Sequence, residues 1–354
     1  MTPNSIYNVR KIYLMLGSAC NFNCVYCVQH TDKPRTKKVL KPELLAWLDD
    51  LAYRLPLKFK PTIMFYGGEP LLYKESIKAV IDHCGDNFNY CIVSNGAYLT
   101  DEDVEYYNKN DVEFALSNDG RNTDKTRQVD MLQDEEFVAR FKRIKRKEVA
   151  GVVSGYNQDF HDFIEYVHEK VPDVSVSYEE LMTNDHMDAS VYTFDKDILL
   201  NDYKRMGDEL SVAYAGGEET MTSAIFNKFI RQALRRLSNP QFPEYGVCGA
   251  GRSSLSLDLQ GNVYLCKDFN VKIGTIADDY ETLTERAKVK TKELRDVHLE
   301  AKGCFECPAF YFCRGGCPFE KPSVAQKSKC EMVRTKWASV VSFLDNRVKL
   351  EVKR

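Results

Sequence analysis

A chain of 354 residues, 44% apolar and 29% charged, is long enough for two domains or for one barrel with an appendage, and it can build an ordinary core. Those proportions exclude a disordered or collagen-like chain, and a net charge of −3 argues against general nucleic-acid binding. No apolar run is long enough to span a bilayer, and the N-terminus lacks the apolar core and cleavage site of a signal peptide, so the expected compartment is the cytoplasm, away from membranes. The abnormal number is twelve cysteines, at 20, 24, 27, 84, 91, 248, 266, 304, 307, 313, 317 and 330. In a reducing compartment they point to metal rather than to disulfides.

In chain order, short runs rich in β-branched and aromatic residues predict strands at 11–17, 62–66, 90–94, 113–116, 149–153 and 174–178. Helical patterns fall between and after them, at 41–55, 75–84, 102–108, 135–144, 159–170 and 195–214. The first of these puts Leu44, Leu45, Leu48, Leu51 and Ala52 on one face. Alternation at this spacing predicts a parallel α/β sheet with right-handed crossovers. Six units are fewer than a closed eight-fold barrel needs, so the expected fold is a (β/α)6 partial TIM barrel. A helix at 221–237 and a Pro-containing linker at 238–247 follow, and then the alternation stops. The expected division is a barrel over 1–215, a helical linker over 216–247 and a cysteine-rich domain over 248–354, closed by a helix near 330–346. Cys84 and Cys91 read as buried core thiols.

Cys20, Cys24 and Cys27 form a CX3CX2C motif directly after the first predicted strand, where an α/β barrel builds its active site. Three thiolates on a four-iron centre leave one iron open for chemistry, whereas a structural zinc site would need a distant fourth ligand. The motif resembles that of the radical S-adenosylmethionine (radical SAM) superfamily. Phe65-Tyr66-Gly67-Gly68-Glu69-Pro70 is similar to its GGEP segment, Ser94-Asn95-Gly96 to its (S/T)NG segment, and Ser117-Asn118-Asp119-Gly120 with Asp124 and Arg127 to its SxDG…DxxR segment. The resemblance implies a [4Fe–4S] cluster on Cys20, Cys24 and Cys27. It implies SAM contacts from Tyr26, Gly67, Gly68, Glu69, Pro70, Ser94, Asn95, Ser117, Asp119 and Arg127. Within that set, Gly67 and Gly68 allow close approach, Glu69 meets the SAM ammonium, Ser117 the ribose and Arg127 the carboxylate. The family packs adenine near 151–154.

The second pattern is CX12GX4C…CX2CX5CX3C…C, running from Cys248 through Gly261, Cys266, Cys304, Cys307, Cys313 and Cys317 to Cys330. A zinc ribbon would show two CX2C pairs, and one is present. The pattern resembles the SPASM domain found behind many radical SAM barrels. It implies a distal auxiliary [4Fe–4S] cluster on Cys304, Cys307, Cys313 and Cys330, and a proximal one on Cys248, Cys266 and Cys317. With seven ligands for two clusters, the fourth proximal position is expected to be open or filled by a group other than cysteine.

This double resemblance implies an enzyme, a radical SAM oxidoreductase of the peptide-maturase type. It would cleave SAM to a 5′-deoxyadenosyl radical and abstract a hydrogen from a peptide, leaving an oxidative modification such as a crosslink in a ribosomally made peptide. Expected partners are a peptide or protein substrate, a flavodoxin- or ferredoxin-type electron donor and, since Cys20 stands close to the start, a separate leader-recognition protein. Sulfatase maturation and small-molecule dehydrogenation stay open. In sulfatase-maturing relatives an Asp directly follows the glycine-motif cysteine and acts as base; here Lys267 follows, with Asp268 one place later. A non-catalytic metal scaffold is the contrasting reading, though a scaffold has no need of the SAM segments. Basic stretches at 33–38, 140–147 and 231–236 read as solvated faces or leader-binding surfaces, and Phe305, Phe310, Tyr311, Phe312 and Phe319 as shields for the clusters.

Overall fold

The computed structural model describes residues 9–29, 39–55, 60–184, 186–238 and 248–352. Six parallel strands, β1 (Lys11–Met15), β2 (Thr62–Tyr66), β3 (Asn89–Ser94), β4 (Glu113–Ser117), β5 (Lys147–Val153) and β6 (Ser175–Glu180), lie side by side in sequence order. Between them run α1 (Pro42–Arg54), α2 (Lys74–Cys84), α3 (Asp101–Lys109), α4 (Thr123–Arg127), α5 (Glu135–Lys142) and α6 (Phe160–Lys170). This is the expected (β/α)6 partial barrel.

Each strand divides its residues by the two-residue period of an extended chain. On one face Ile12, Leu14, Ile63, Phe65, Ile92, Phe114, Leu116 and Val149 are fully buried against the helices. On the other, Tyr13, Met64, Tyr66, Cys91, Val93, Ala115, Ser117, Ala150 and Val152 line an internal cavity. Helix α1 meets the first face with Leu44, Leu48 and Leu51, one helical stripe. A buried aromatic chain runs from Tyr107 through Phe114 to Phe141 and Phe137, with ring centroids 5.7–6.1 Å apart. Burial of each such ring contributes about 1.5–3 kcal/mol. Helix starts are fixed locally: Thr100 and Asp103 form a reciprocal capping box, and Asp134 and Asp159 cap α5 and α6.

After β6 come α7 (Ala189–Tyr192), α8 (Lys196–Tyr214) and α9 (Met221–Ser238). The cysteine-rich region then continues the barrel sheet. Strand β7 (Ser254–Asp258) pairs parallel with β1, Lys11 opposite Ser254 through Met15 opposite Asp258. Strands β8 (Asn262–Tyr264) and β9 (Lys272–Thr275) follow in antiparallel order, making nine strands β6-β5-β4-β3-β2-β1-β7-β8-β9 among the described residues. Asp258 builds the β7–β8 turn by accepting from the Gln260 and Asn262 amides and the Tyr264 hydroxyl. Gly261, at φ +77°, takes the left-handed conformation that the turn requires, which explains its place in the motif. Sequence patterning missed β7 to β9, because three to five residues in a cysteine- and turn-rich stretch give too short a period to detect.

Helices α10 (Tyr280–Ala301), α11 (Phe310–Cys313) and α12 (Val324–Val352) complete the chain. The first was not expected, and the last begins before and ends beyond the expected 330–346. No helix among the described residues is long and apolar enough to cross a membrane. The stretch 33–38 and the linker residues 239–247 lie outside the described residues.

Candidate active site

The loop bearing Cys20, Cys24 and Cys27 leaves β1 and is held from two sides. From β2, the Gly68 amide donates to the Gly17 carbonyl at 2.9 Å and the Glu69 amide to the Ala19 carbonyl at 2.8 Å. A side chain has no room there: a Cβ at Gly67 would stand 2.5 Å from the Gly17 oxygen, and one at Gly68 2.1 Å from the Ala19 oxygen. The close approach that these glycines permit is thus to the backbone of the cysteine loop, while both also line the cavity. The Tyr73 hydroxyl accepts from the Ala19 amide at 3.0 Å.

From the other side comes the segment after β4. The Val25 amide donates to the Thr126 carbonyl at 2.9 Å and the Asn23 amide to Gln128 Oε1 at 2.8 Å. Asp119 is the hub. Its fully buried carboxylate accepts from Tyr26 (2.5 Å), Thr126 Oγ1 (2.7 Å), the Val152 amide (2.9 Å) and Arg127 Nε (3.0 Å). The Arg127 guanidinium also lies 5.3 Å from the Tyr26 ring centroid. Burial opposes its charge, but Asp119 more than compensates and keeps it cationic. Tyr26 is held protonated by burial. The three thiols neighbour one another electrostatically, and burial pushes Cys24 up to about 12.

These elements open on one cavity of about 520 Å³. Cys20, Cys24, Cys27, Tyr26, Gly67, Gly68, Glu69, Asn95, Ser117 and Arg127 all line it. Pro70, Ser94 and Asp119 do not; they stand one layer behind. Pro70 opens the turn after Glu69, and Ser94 Oγ donates to Glu69 Oε1 at 2.6 Å. Glu69 also accepts from the Leu71 and Asn95 amides at 2.8 and 2.9 Å, and burial raises its pKa. Asn95 Nδ2 reaches Asn21 Oδ1 at 2.9 Å, tying the third strand end to the cysteine loop. Cys91 forms part of the cavity wall and Cys84 lies in the core, each thiol pushed to about 12 by burial.

The far wall comes from the C-terminal region. Lys267 Nζ donates to Asp268 Oδ1 and Tyr66 Oη, both at 3.1 Å, and lies 4.4 Å from the Tyr66 ring centroid. Tyr66 donates to Asp268 at 3.2 Å, and Glu179 lies 3.8 Å from the ammonium. This Lys–Asp–Tyr–Glu group joins the strand that carries the GGEP segment to the residue after Cys266. Motif reading singled out Lys267 and Asp268 but not their joining with Tyr66 and Glu179, which depends on long-range contacts.

Four of the C-terminal thiols converge. Cys304, Cys307, Cys313 and Cys330 ring a second cavity, and Gln326 Nε2 donates to Cys330 Sγ at 2.7 Å. Cys266 neighbours Cys317, and burial pushes both to about 12. Cys248 is exposed and lies near Tyr13 on the barrel side. Four convergent thiols suit a soft iron–sulfur centre, as the three thiols of the barrel loop do. Around them, Phe312 stacks on Trp337 at 5.4 Å and Phe319 on Phe269 at 4.7 Å. Phe310 packs on Phe305, but Phe305 and Tyr311 point into solvent and do not act as the expected shields. The 140–147 stretch is occupied by surface pairs: Arg140 and Arg143 with Asp101, and Arg146 with Asp111 and Glu113. In the 231–236 stretch, Arg236 covers Trp337 at 5.5 Å.

A sequence-family model of the radical SAM superfamily matches residues 14–124. The chain is similar to the radical SAM cyclopropyl synthase TigE of Paramaledivibacter caminithermalis, at 22% identity over 87% of this chain and 68% of that protein. It is also similar to a serine-type anaerobic sulfatase-maturating enzyme of Bacteroides thetaiotaomicron, at 24% identity over 87% of this chain and 83% of the relative. Among solved structures, native anSMEcpe with bound AdoMet and Cp18Cys peptide shares the fold, with a TM-score of 0.70 at 17% identity over 96% of this chain and 98% of its own.

Proposed function

The chain carries a radical SAM domain, and on that premise we propose that it is a SPASM-type maturase that oxidises a peptide substrate. When bound, a four-iron cluster with SAM supplies a 5′-deoxyadenosyl radical that abstracts hydrogen from a side chain or backbone of the peptide. In this reading Cys20, Cys24 and Cys27 hold that cluster. Glu69 and Asn95, fixed by the turn after β2 and by Ser94, orient the amino-acid end of SAM. Asp119 holds Tyr26 and Arg127 so that the cysteine loop keeps its shape. Lys267, Asp268 and Tyr66 form the substrate-facing wall.

The observation that carries the reading is the convergence of three loop thiols, the Glu69 turn and the Lys267–Asp268 wall on one cavity. TigE is a cyclopropyl synthase by name, and the anSMEcpe structure holds a peptide, which supports a peptide as the substrate class. Cys304, Cys307, Cys313 and Cys330 hold a distal auxiliary cluster in this account, and Cys248, Cys266 and Cys317 a proximal one whose fourth position takes a group other than a protein cysteine. A flavodoxin- or ferredoxin-type protein supplies the electron. The second reading, sulfatase maturation, draws on Asp268, which lines the cavity one residue beyond the position of the relatives' base.

The test is co-expression with any short open reading frame found beside the gene, followed by mass spectrometry of its peptide. Loss of a hydrogen pair, abolished by Cys24→Ala, is expected. An unmodified peptide together with formylglycine in a co-expressed sulfatase favours the second reading instead.

A further inference from the structure

One buried polar side chain of the C-terminal region has no part in the reading above. Helix α12 sets Gln326, Lys329, Cys330, Val333 and Arg334 along the cavity ringed by Cys304, Cys307, Cys313 and Cys330. Gln326 stands one helical turn before Cys330, and residues four apart share a helix face. Its Nε2 donates to Cys330 Sγ at 2.7 Å, and the residue is 4% exposed. Its backbone amide donates to Ser323 Oγ at 3.0 Å, which fixes the first turn of the helix and the point from which the side chain reaches. Burying a primary amide among thiols is costly unless its polar atoms are bonded. An apolar side chain of the same length would shield the cavity without that cost, so the bond to sulfur is what the glutamine adds.

Other cysteine sulfurs accept from the backbone: Cys20 from the Phe22 amide and Cys266 from the Asp268 amide, each at 3.4 Å. Such donors come with the chain whatever side chain it carries, whereas this donor to Cys330 depends on the identity of residue 326. A cluster that gains an electron carries more negative charge on its sulfurs. An N–H held against a ligand sulfur therefore favours the reduced state, and burial keeps water from competing for that sulfur. Hydrogen bonds to sulfur are among the determinants of cluster potential. Charged residues of both signs line the same cavity: Glu180, Lys302, Glu320, Lys329 and Arg334, with Lys329 paired to Glu320 at 2.9 Å. They stay in place when residue 326 is changed, so replacing Gln326 by an uncharged side chain of similar length reads the hydrogen bond.

We infer that Gln326 is a positioning residue for redox chemistry: through its bond to Cys330 it raises the reduction potential of the cluster held by Cys304, Cys307, Cys313 and Cys330. This inference rests on the reading above that those four thiols hold a cluster. A bond to sulfur that differs between the two redox states by the usual net worth of a hydrogen bond changes the reduction constant about fivefold. At about 59 mV per tenfold for one electron, that is about 40 mV. The competing role is a packing residue at the start of α12. Packing has no preferred direction of potential and needs no N–H, whereas the redox role requires both.

The experiment is anaerobic redox titration of the full reconstituted chain followed by electron paramagnetic resonance. The signal of the four-thiol cluster is assigned with Cys304→Ala, and iron content and circular dichroism are checked on every variant. Gln326→Met keeps the length and removes the donor. It is expected to shift the four-thiol cluster by about 40 mV to more negative potential and to leave the barrel cluster where it was. Gln326→Glu puts a carboxylate in place of the donor and should shift the same cluster further in the same direction. Where a variant fails to load iron, the wild-type chain decides: with nitrogen-15 in its glutamine side-chain amides, pulsed resonance should show a nitrogen coupling to the reduced four-thiol cluster. Unmoved potentials in loaded variants, a shift to more positive potential, or the absence of that coupling overturns the inference. If Cys304→Ala keeps all the iron of the wild type, the four-thiol cluster reading falls and this inference with it; a loss of about four irons together with unmoved potentials at residue 326 overturns this inference alone.

Discussion

Substituting Asp119 by Ala should unfasten the cysteine loop. The carboxylate is fully buried and serves Tyr26, Thr126, the Val152 amide and Arg127 at once. Its loss leaves the Arg127 guanidinium as a buried cation without its anion, and removal of one partner from a buried pair costs about 3–5 kcal/mol. Against a typical total of about 5–15 kcal/mol this is a large fraction. Arg127→Met alone leaves the anion with three remaining donors, so it should cost less. The double variant should recover much of the Asp119→Ala loss, because the stranded charge is gone. The assay is anaerobic urea unfolding of the four proteins, with iron content measured alongside. The reasoning is refuted if Asp119→Ala lies within about 1 kcal/mol of wild type, or if the double variant is less stable than Asp119→Ala.

Other outcomes follow from particular residues. Gly68→Ala drives a methyl against the Ala19 backbone oxygen. It should cost about 1–3 kcal/mol and lower iron loading at the barrel site, measured by melting temperature and iron assay. Cys313→Ala should remove about four of about twelve irons while leaving the barrel cluster's spectrum unchanged. His161 sits between Asp202 and Glu209, with Asp202 also accepting from the Phe160 amide. Burial and the Arg205 cation oppose its charge, but the two carboxylates outweigh them and raise its pKa. Its folded value thus exceeds the unfolded one of about 6.5. The stability it adds is full below that value and is lost as pH rises through the folded one. The melting-temperature gap between wild type and His161→Gln should therefore be wider at about pH 6 than at about pH 9; an unchanged gap contradicts the assignment.

Much of the barrel was legible because each buried strand carries a detectable period. Tyr66 and Ile63 alternate between cavity and core, and the glycine and cysteine motifs fall at strand ends in the right order. What escaped was non-local. Strand β7 is recognisable only from its pairing with β1. Asp119 read as one element of a SAM-contact segment, yet its side chain holds Tyr26 and Arg127 from behind the cavity. The Lys267–Tyr66 contact spans 201 positions and leaves no local trace. Glu320 and Lys329 look like ordinary surface charges in sequence; only burial shows them as a pair. Aromatic content alone also misled at Phe305 and Tyr311, since composition says nothing about which way a ring points.

The most direct test of the account is SAM cleavage by the anaerobically reconstituted chain. Supplied with dithionite and SAM, the wild-type protein should release 5′-deoxyadenosine, and Cys24→Ala should release none. A fully iron-loaded wild-type chain that leaves SAM intact, or a Cys24→Ala variant that cleaves it equally well, would contradict the assignment of Cys20, Cys24 and Cys27 as the radical-generating site.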